Sequence, residues 1–263
     1  MKNSLWFKGL RLWVQGLLLL SLRWAQLKTG FDPATGLSRH SVPGMILVAM
    51  IFFLAAAEAV LAFRLPGGKR TYSNCMDPLE KNQLPMLSIG SFLMAGGTLL
   101  MPGDLSTLNI AAIVLGGASA AGFILFARIV RRGQDVKVLP LIPSMFFAVV
   151  FLLVVYLPEE GNPVLASFYL PVLAAALLAC SFYQLAGLTL RECKLRWFVF
   201  LGDLTVPLCL ASMADCADNL GRMLIYFGGA AVLTMFLILR RAEPLPEEEP
   251  EETEKTEAAP AQE

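Results

Sequence analysis

VLASFYLPVLAAALLACSFYQLAGLTL (residues 164–190), RECKLR (191–196) and WFVFLGDLTVPLCL (197–210) together decide how this chain folds. The first block is apolar along its whole length. As a helix rising about 1.5 Å per residue it is long enough for a hydrocarbon layer of about 30 Å. A short basic turn follows, then a second apolar run. This is the pattern of a transmembrane hairpin, and variants of it recur over most of the chain.

Working outward, apolar segments fall at Gly44–Phe63, Leu84–Met101, Leu105–Ala127, Leu139–Leu157, Val164–Leu190 and Trp197–Ala214, with a last one ending at Leu239. Hydrophobic residues make up 56% of the 263 and charged residues 16%, far below the charged fraction of about a quarter in soluble domains. The formal charge of zero hides two opposed regions. Residues 243–263 hold nine Glu and one Lys, a balance of −8, so residues 1–242 carry +8.

The connectors sort by sign. Asp104, Glu159, Glu160, Asp215 and Asp218 occupy one set; Arg64, Lys69, Arg70, Lys81, Arg128, Arg131, Arg132, Lys137, Arg191, Lys194, Arg196, Arg240 and Arg241 occupy the other. By the positive-inside rule the basic set and the C-terminus lie in the cytoplasm. The N-terminal segment, residues 6–27, has an apolar core of only Leu12–Leu22 flanked by Lys8, Arg11, Arg23 and Lys28. If it crosses, the bundle has eight spans with both ends cytoplasmic, and Arg23, Lys28 and Arg39 are left on the far side. If it lies in the interface, the count is seven, but Lys2, Lys8 and Arg11 then fall on the far side, so eight is the preferred count.

The expected fold is therefore all-α: a polytopic membrane bundle over residues 1–241 and a disordered acidic cytoplasmic tail over 242–263. The tail, rich in Glu and Pro, has too little apolar surface to offset the entropy of ordering. Small residues crowd Leu84–Ala127: Gly96, Gly97, Gly116, Gly117 and the run 118–122. Such surfaces let helices approach closely in lipid, so that hairpin is expected to be buried among other helices. Cys180 and Cys209, inside spans, read as small packing residues. The arginines ending inward-running spans recur at intervals of 64, 63 and 49 residues. The positive-inside rule accounts for that recurrence without an internal repeat.

Few polar residues fall within spans. Glu58 lies six residues before Arg64, Gln184 seven before Arg191 and Asp203 seven after Arg196, so all three share one depth on the cytoplasmic side. Neither acid has a basic or amide residue three or four positions away on its own helix. A lone charge in lipid costs up to about 2.5–3.5 kcal/mol on insertion scales, so a partner on another helix, water or protonation must offset it. Glu58, Gln184 and Asp203, with Gln15 and Tyr183, are the candidate binding site, suited to a proton, a cation or a cationic solute. The competing reading is that they tie helices together. At the opposite face Asp218 and Arg222 stand at i, i+4 spacing and are expected to pair.

Nothing in the chain carries catalysis. One histidine, His40, cannot supply H-E-x-x-H or a Ser/His pair within a span, and Gly67-Gly68-Lys69 lacks the frame of a phosphate loop. No metal and no cofactor are expected. The basic loops are short and suit anionic lipid headgroups rather than nucleic acid. No N-x-[ST] acceptor occurs, in keeping with a bacterial plasma membrane. Two function classes follow: a non-enzymatic membrane component with the bilayer and other membrane proteins as partners, or a small-solute or proton-coupled carrier using the polar site.

Overall fold

A computed structural model describes residues 2–32, 41–65, 72–77, 83–101, 106–132, 134, 138–160, 164–190 and 194–240. The acidic tail and the turns at 102–105 and 191–193 lie outside these residues. The described chain is helical: α1 Lys2–Thr29, α2 Val42–Phe63, the short α3 Tyr72–Cys75, α4 Leu84–Leu99, α5 Thr107–Arg131, α6 Ile142–Tyr156, α7 Leu165–Thr189, α8 Leu195–Ser212 and α9 Leu220–Ile238. Short 3-10 turns extend α6 at both ends and α8 at its end (Met213–Cys216).

Six of these helices are long and apolar enough to cross a membrane: α2, α5, α6 with its flanking turns, α7, α8 and α9; α4 is shorter and apolar. The protein is a helical membrane bundle. Large apolar side chains such as Phe52, Phe53 and Met45 on α2 point out of the bundle, as lipid solvent permits.

Local sequence explains where each helix begins. Ser41 caps α2 through Gly44 N, Ser106 caps α5 through Asn109 N, and Asn219 caps α9 through Arg222 N. Prolines at the starts of α2, α4 and α6 occupy the first turn, where a missing N–H costs nothing.

Helices α4 to α9 close a ring, each packing on its sequence neighbour and α9 returning against α4. The interior is filled by Phe123, Phe126, Phe147, Phe151, Phe182 and Phe236. The α1–α2 hairpin stands outside this ring, against α8 and α9. Basic connectors gather at one end, near Arg64, Arg128, Lys194 and Arg240; Glu159, Glu160, Asp215 and Asp218 gather at the other. These are the basic end and the acidic end below.

Helices α4 and α9 approach closely through four glycines. Gly97 faces Gly221 and Gly90 faces Gly228, so α4 and α9 run antiparallel with glycines seven residues apart on each. A Cβ on Gly221 would come within 2.5 Å of the Gly97 carbonyl oxygen, and one on Gly228 equally close to that of Gly90. Gly116 packs on Thr98, yet Gly96 and Gly117 face open space. The hairpin α4–α5 packs among α6 and α9, with Gly96 and Gly117 on its open side. Cys209 is buried, but Cys180 is exposed on α7.

Helix α1 is longer than its short apolar core suggests. Its apolar core is short, but the helix runs unbroken for 28 residues, about 42 Å at the usual rise. It lies parallel to α8, because Arg11 reaches Asp203 and Arg23 reaches Asp215. Both pairs of positions are 12 residues apart, so the two helices stay in step over about 18 Å. Arg23 is fully buried. Its charge, which seemed stranded beyond the membrane, is neutralised inside the protein.

Candidate functional site

Three helices build the cluster near the basic end. On α1, Arg11 projects one helical turn before Gln15. On α2, Glu58 is almost completely buried, at 1% exposure. On α8, Asp203 lies on the flank that faces α1 and α2. Arg11 Nη2 donates to Glu58 Oε2 at 2.9 Å, and the same nitrogen lies 3.9 Å from Asp203 Oδ2. Lys8 and Arg240 are near enough to act on Asp203 electrostatically. The carboxylates found no partner on their own helices because their partner is an arginine from the N-terminal segment.

Arg240 is held in place by an unusual contact. Met76 and Arg240 form an isolated antiparallel bridge, and Asp77 N donates to the Leu239 carbonyl at 2.7 Å. The short α3 is thereby folded under the end of α9, with Tyr72 buried edge-on against Phe126. Burial raises the Tyr72 hydroxyl well above its ordinary pKa, so it stays neutral. Burial lowers the Arg240 pKa, and Arg11 opposes its charge while Asp203 and Glu58 support it.

Polar capacity remains in the cluster. Glu58 Oε1, Arg11 Nε and Gln15 Oε1 are buried without hydrogen-bond partners. Pro207, four residues after Asp203, supplies no N–H, which leaves the Asp203 carbonyl without its intrahelical donor.

The other predicted residues fall elsewhere. Ser181 on α7 bonds Thr205 on α8 at 2.8 Å. Thr205 and Asp203 are two residues apart on one helix and so point about 200° apart. Gln184, three residues from Ser181 on α7, is half-buried. Tyr183 is exposed and turns out of the bundle. Glu58 and Asp203 meet at one arginine, and Tyr183 faces away from the bundle.

A second buried ion cluster lies near the acidic end. Arg23 Nε is 3.0 Å from both oxygens of Asp215, Nη1 donates to Gln26 Oε1 at 2.9 Å, and Nη2 donates to the Ser167 carbonyl at 3.0 Å. That carbonyl is open because Pro171, four residues on, has no N–H to give it. Tyr169 covers the guanidinium at 5.2 Å. Asp218, by contrast, is exposed and precedes the α9 cap Asn219, so the helical spacing expected for Asp218 and Arg222 does not hold; Arg222 reaches the Val154 carbonyl instead.

Sequence reasoning found both acids of the first cluster and missed both arginines. The signal was present as two matching intervals, Arg11 to Arg23 and Asp203 to Asp215, on segments far apart in the chain.

No family model, curated protein or solved structure matches this chain.

Proposed function

We propose that this protein is a non-enzymatic, multi-pass component of a bacterial plasma membrane, with eight spans and both ends in the cytoplasm. What supports eight spans is the parallel course of α1 and α8 between two ion clusters; what supports the orientation is the sign of the connectors. Its role is structural, in assembly with lipid and other membrane proteins. The observation that carries this reading is the mutual neutralisation of buried charge: Arg11 between Glu58 and Asp203, Arg23 on Asp215. Each joins the N-terminal hairpin to α8 and spends the charge on holding helices together.

One feature favours a second reading, a proton- or cation-coupled carrier. Two acids share one arginine nitrogen, and Glu58 Oε1 has no hydrogen bond. Flux measurements on purified protein in liposomes separate the two. Under the first reading proton and cation flux equals that of empty vesicles in wild type, Glu58→Gln and Asp203→Asn alike. A wild-type flux abolished by both substitutions would establish the carrier.

A further inference from the structure

At the acidic end a cavity of about 420 Å³ opens where α5 and α9 begin. Its polar lining comes from Ser106, Asn109, Asn219 and Arg222, with Leu108 and Leu157 among its apolar walls. No carboxylate lines it among the described residues. A neighbouring cavity of about 350 Å³ takes the acids Glu159, Asp215 and Asp218, and Arg222 borders both.

Arg222 is the unspent charge of this region. It forms no ion pair among the described residues, and its Nε is buried without an acceptor. Its one side-chain bond, from Nη2 to the Val154 carbonyl, is long at 3.4 Å. A guanidinium offers five N–H donors in a planar fork that matches an oxyanion. Asp215, which would be its natural partner across the second cavity, is engaged by Arg23.

Two helix N-termini add to this arginine. The caps Ser106 and Asn219 each take one first-turn amide, and the remaining amides at both starts leave partial positive charge facing the same space. The first helix has 25 residues and the second 19, so both dipoles are fully developed.

We propose that Arg222 anchors a binding site for an oxyanion carried on an apolar body, entering from the cavity between the starts of α5 and α9. The guanidinium takes the anion, and Leu108 and Leu157 take the apolar portion. Leu157 is itself exposed on the bundle surface, so the cavity meets lipid as well as water. A phospholipid headgroup phosphate and a free phosphate share this chemistry. This inference is independent of the role given above to the ion clusters.

The test uses the full chain in non-ionic detergent, titrated at matched ionic strength with inorganic phosphate and, separately, with phosphatidylglycerol in mixed micelles, with thermal unfolding as the readout. Phosphatidylcholine micelles give the baseline for lipid alone. Saturable stabilisation is expected, with affinity about tenfold weaker in Arg222→Gln, the loss that follows from one charged hydrogen-bonding group. A response to phosphatidylglycerol alone identifies a headgroup site; a response to both identifies the oxyanion itself. Should Arg222→Gln fail to fold, Leu157→Glu keeps the arginine and sets a competing carboxylate at the exposed rim, and it too is expected to weaken binding. No saturable response to either ligand, or equal affinity in wild type and both variants, overturns the proposal.

Discussion

Arg11 and Glu58, with Glu58 enclosed and Arg11 38% exposed, show why an ion pair is better judged by what happens when it is broken than by what it adds. Removing one partner leaves an uncompensated charge, which costs about 3–5 kcal/mol where both charges are buried and less here, where water reaches Arg11, whereas replacing both with apolar side chains of similar volume is often neutral. Arg11→Met should therefore lower the unfolding temperature in detergent, because it strands Glu58 and Asp203 together. The double variant Arg11→Met, Glu58→Met should recover much of that loss. A double-mutant cycle measures the coupling, and additive effects would show that the two residues do not act as a pair. Arg23 has the less forgiving position: it is fully buried and bonds Asp215, Gln26 and the Ser167 carbonyl. Asp215→Asn should destabilise more than Asp203→Asn, since Asp203 stands 3.9 Å from its arginine, beyond hydrogen-bond reach. Thermal unfolding of the two single variants compares them directly.

At the scale of elements, the glycine register between α4 and α9 makes a sharp distinction within one residue type. Gly97→Ala and Gly221→Ala place a methyl group against backbone that cannot yield, and overpacking of this kind costs about 1–3 kcal/mol. Gly96→Ala and Gly117→Ala meet nothing within 4 Å and should be neutral or mildly stabilising through helix propensity. Unfolding temperatures of the four variants check this. The sequence made the helices legible almost to the residue: the segment read as Val164–Leu190 is the helix Leu165–Thr189. It could not tell which of two adjacent glycines faces a neighbour, because that depends on the rotation of each helix and not on its composition. The same ambiguity of rotation put Tyr183, which is exposed, among the candidate site residues.

For the whole molecule, hydropathy and connector sign were enough to define a bundle in lipid, but not how the first helix belongs to it. Arg11 and Arg23 look like flanks of a short apolar core when α1 is read alone; they are interior residues once α8 lies beside it. Composition is local, and the compensation for these charges is supplied by residues 47 and 192 positions away. The proposed orientation is open to direct measurement. Reporter fusions should find position 160 outside the cell and positions 132 and 240 inside; a cytoplasmic reporter at Glu160 would reverse the assignment.

That long separation bears on how the protein is made. Glu58 follows Arg11 closely in synthesis, but at about 5–20 residues per second Arg23 waits roughly 10–40 s for Asp215 to leave the ribosome. Until then the leading segment has half its counter-charge and cannot settle into the bilayer as firmly as it does later. Chains halted at position 190 should leave a cysteine introduced at Leu22 open to a water-soluble thiol reagent, and the completed chain should shield it. Biogenesis of this protein would then finish where it started, with the last hairpin to emerge locking the first helix into place.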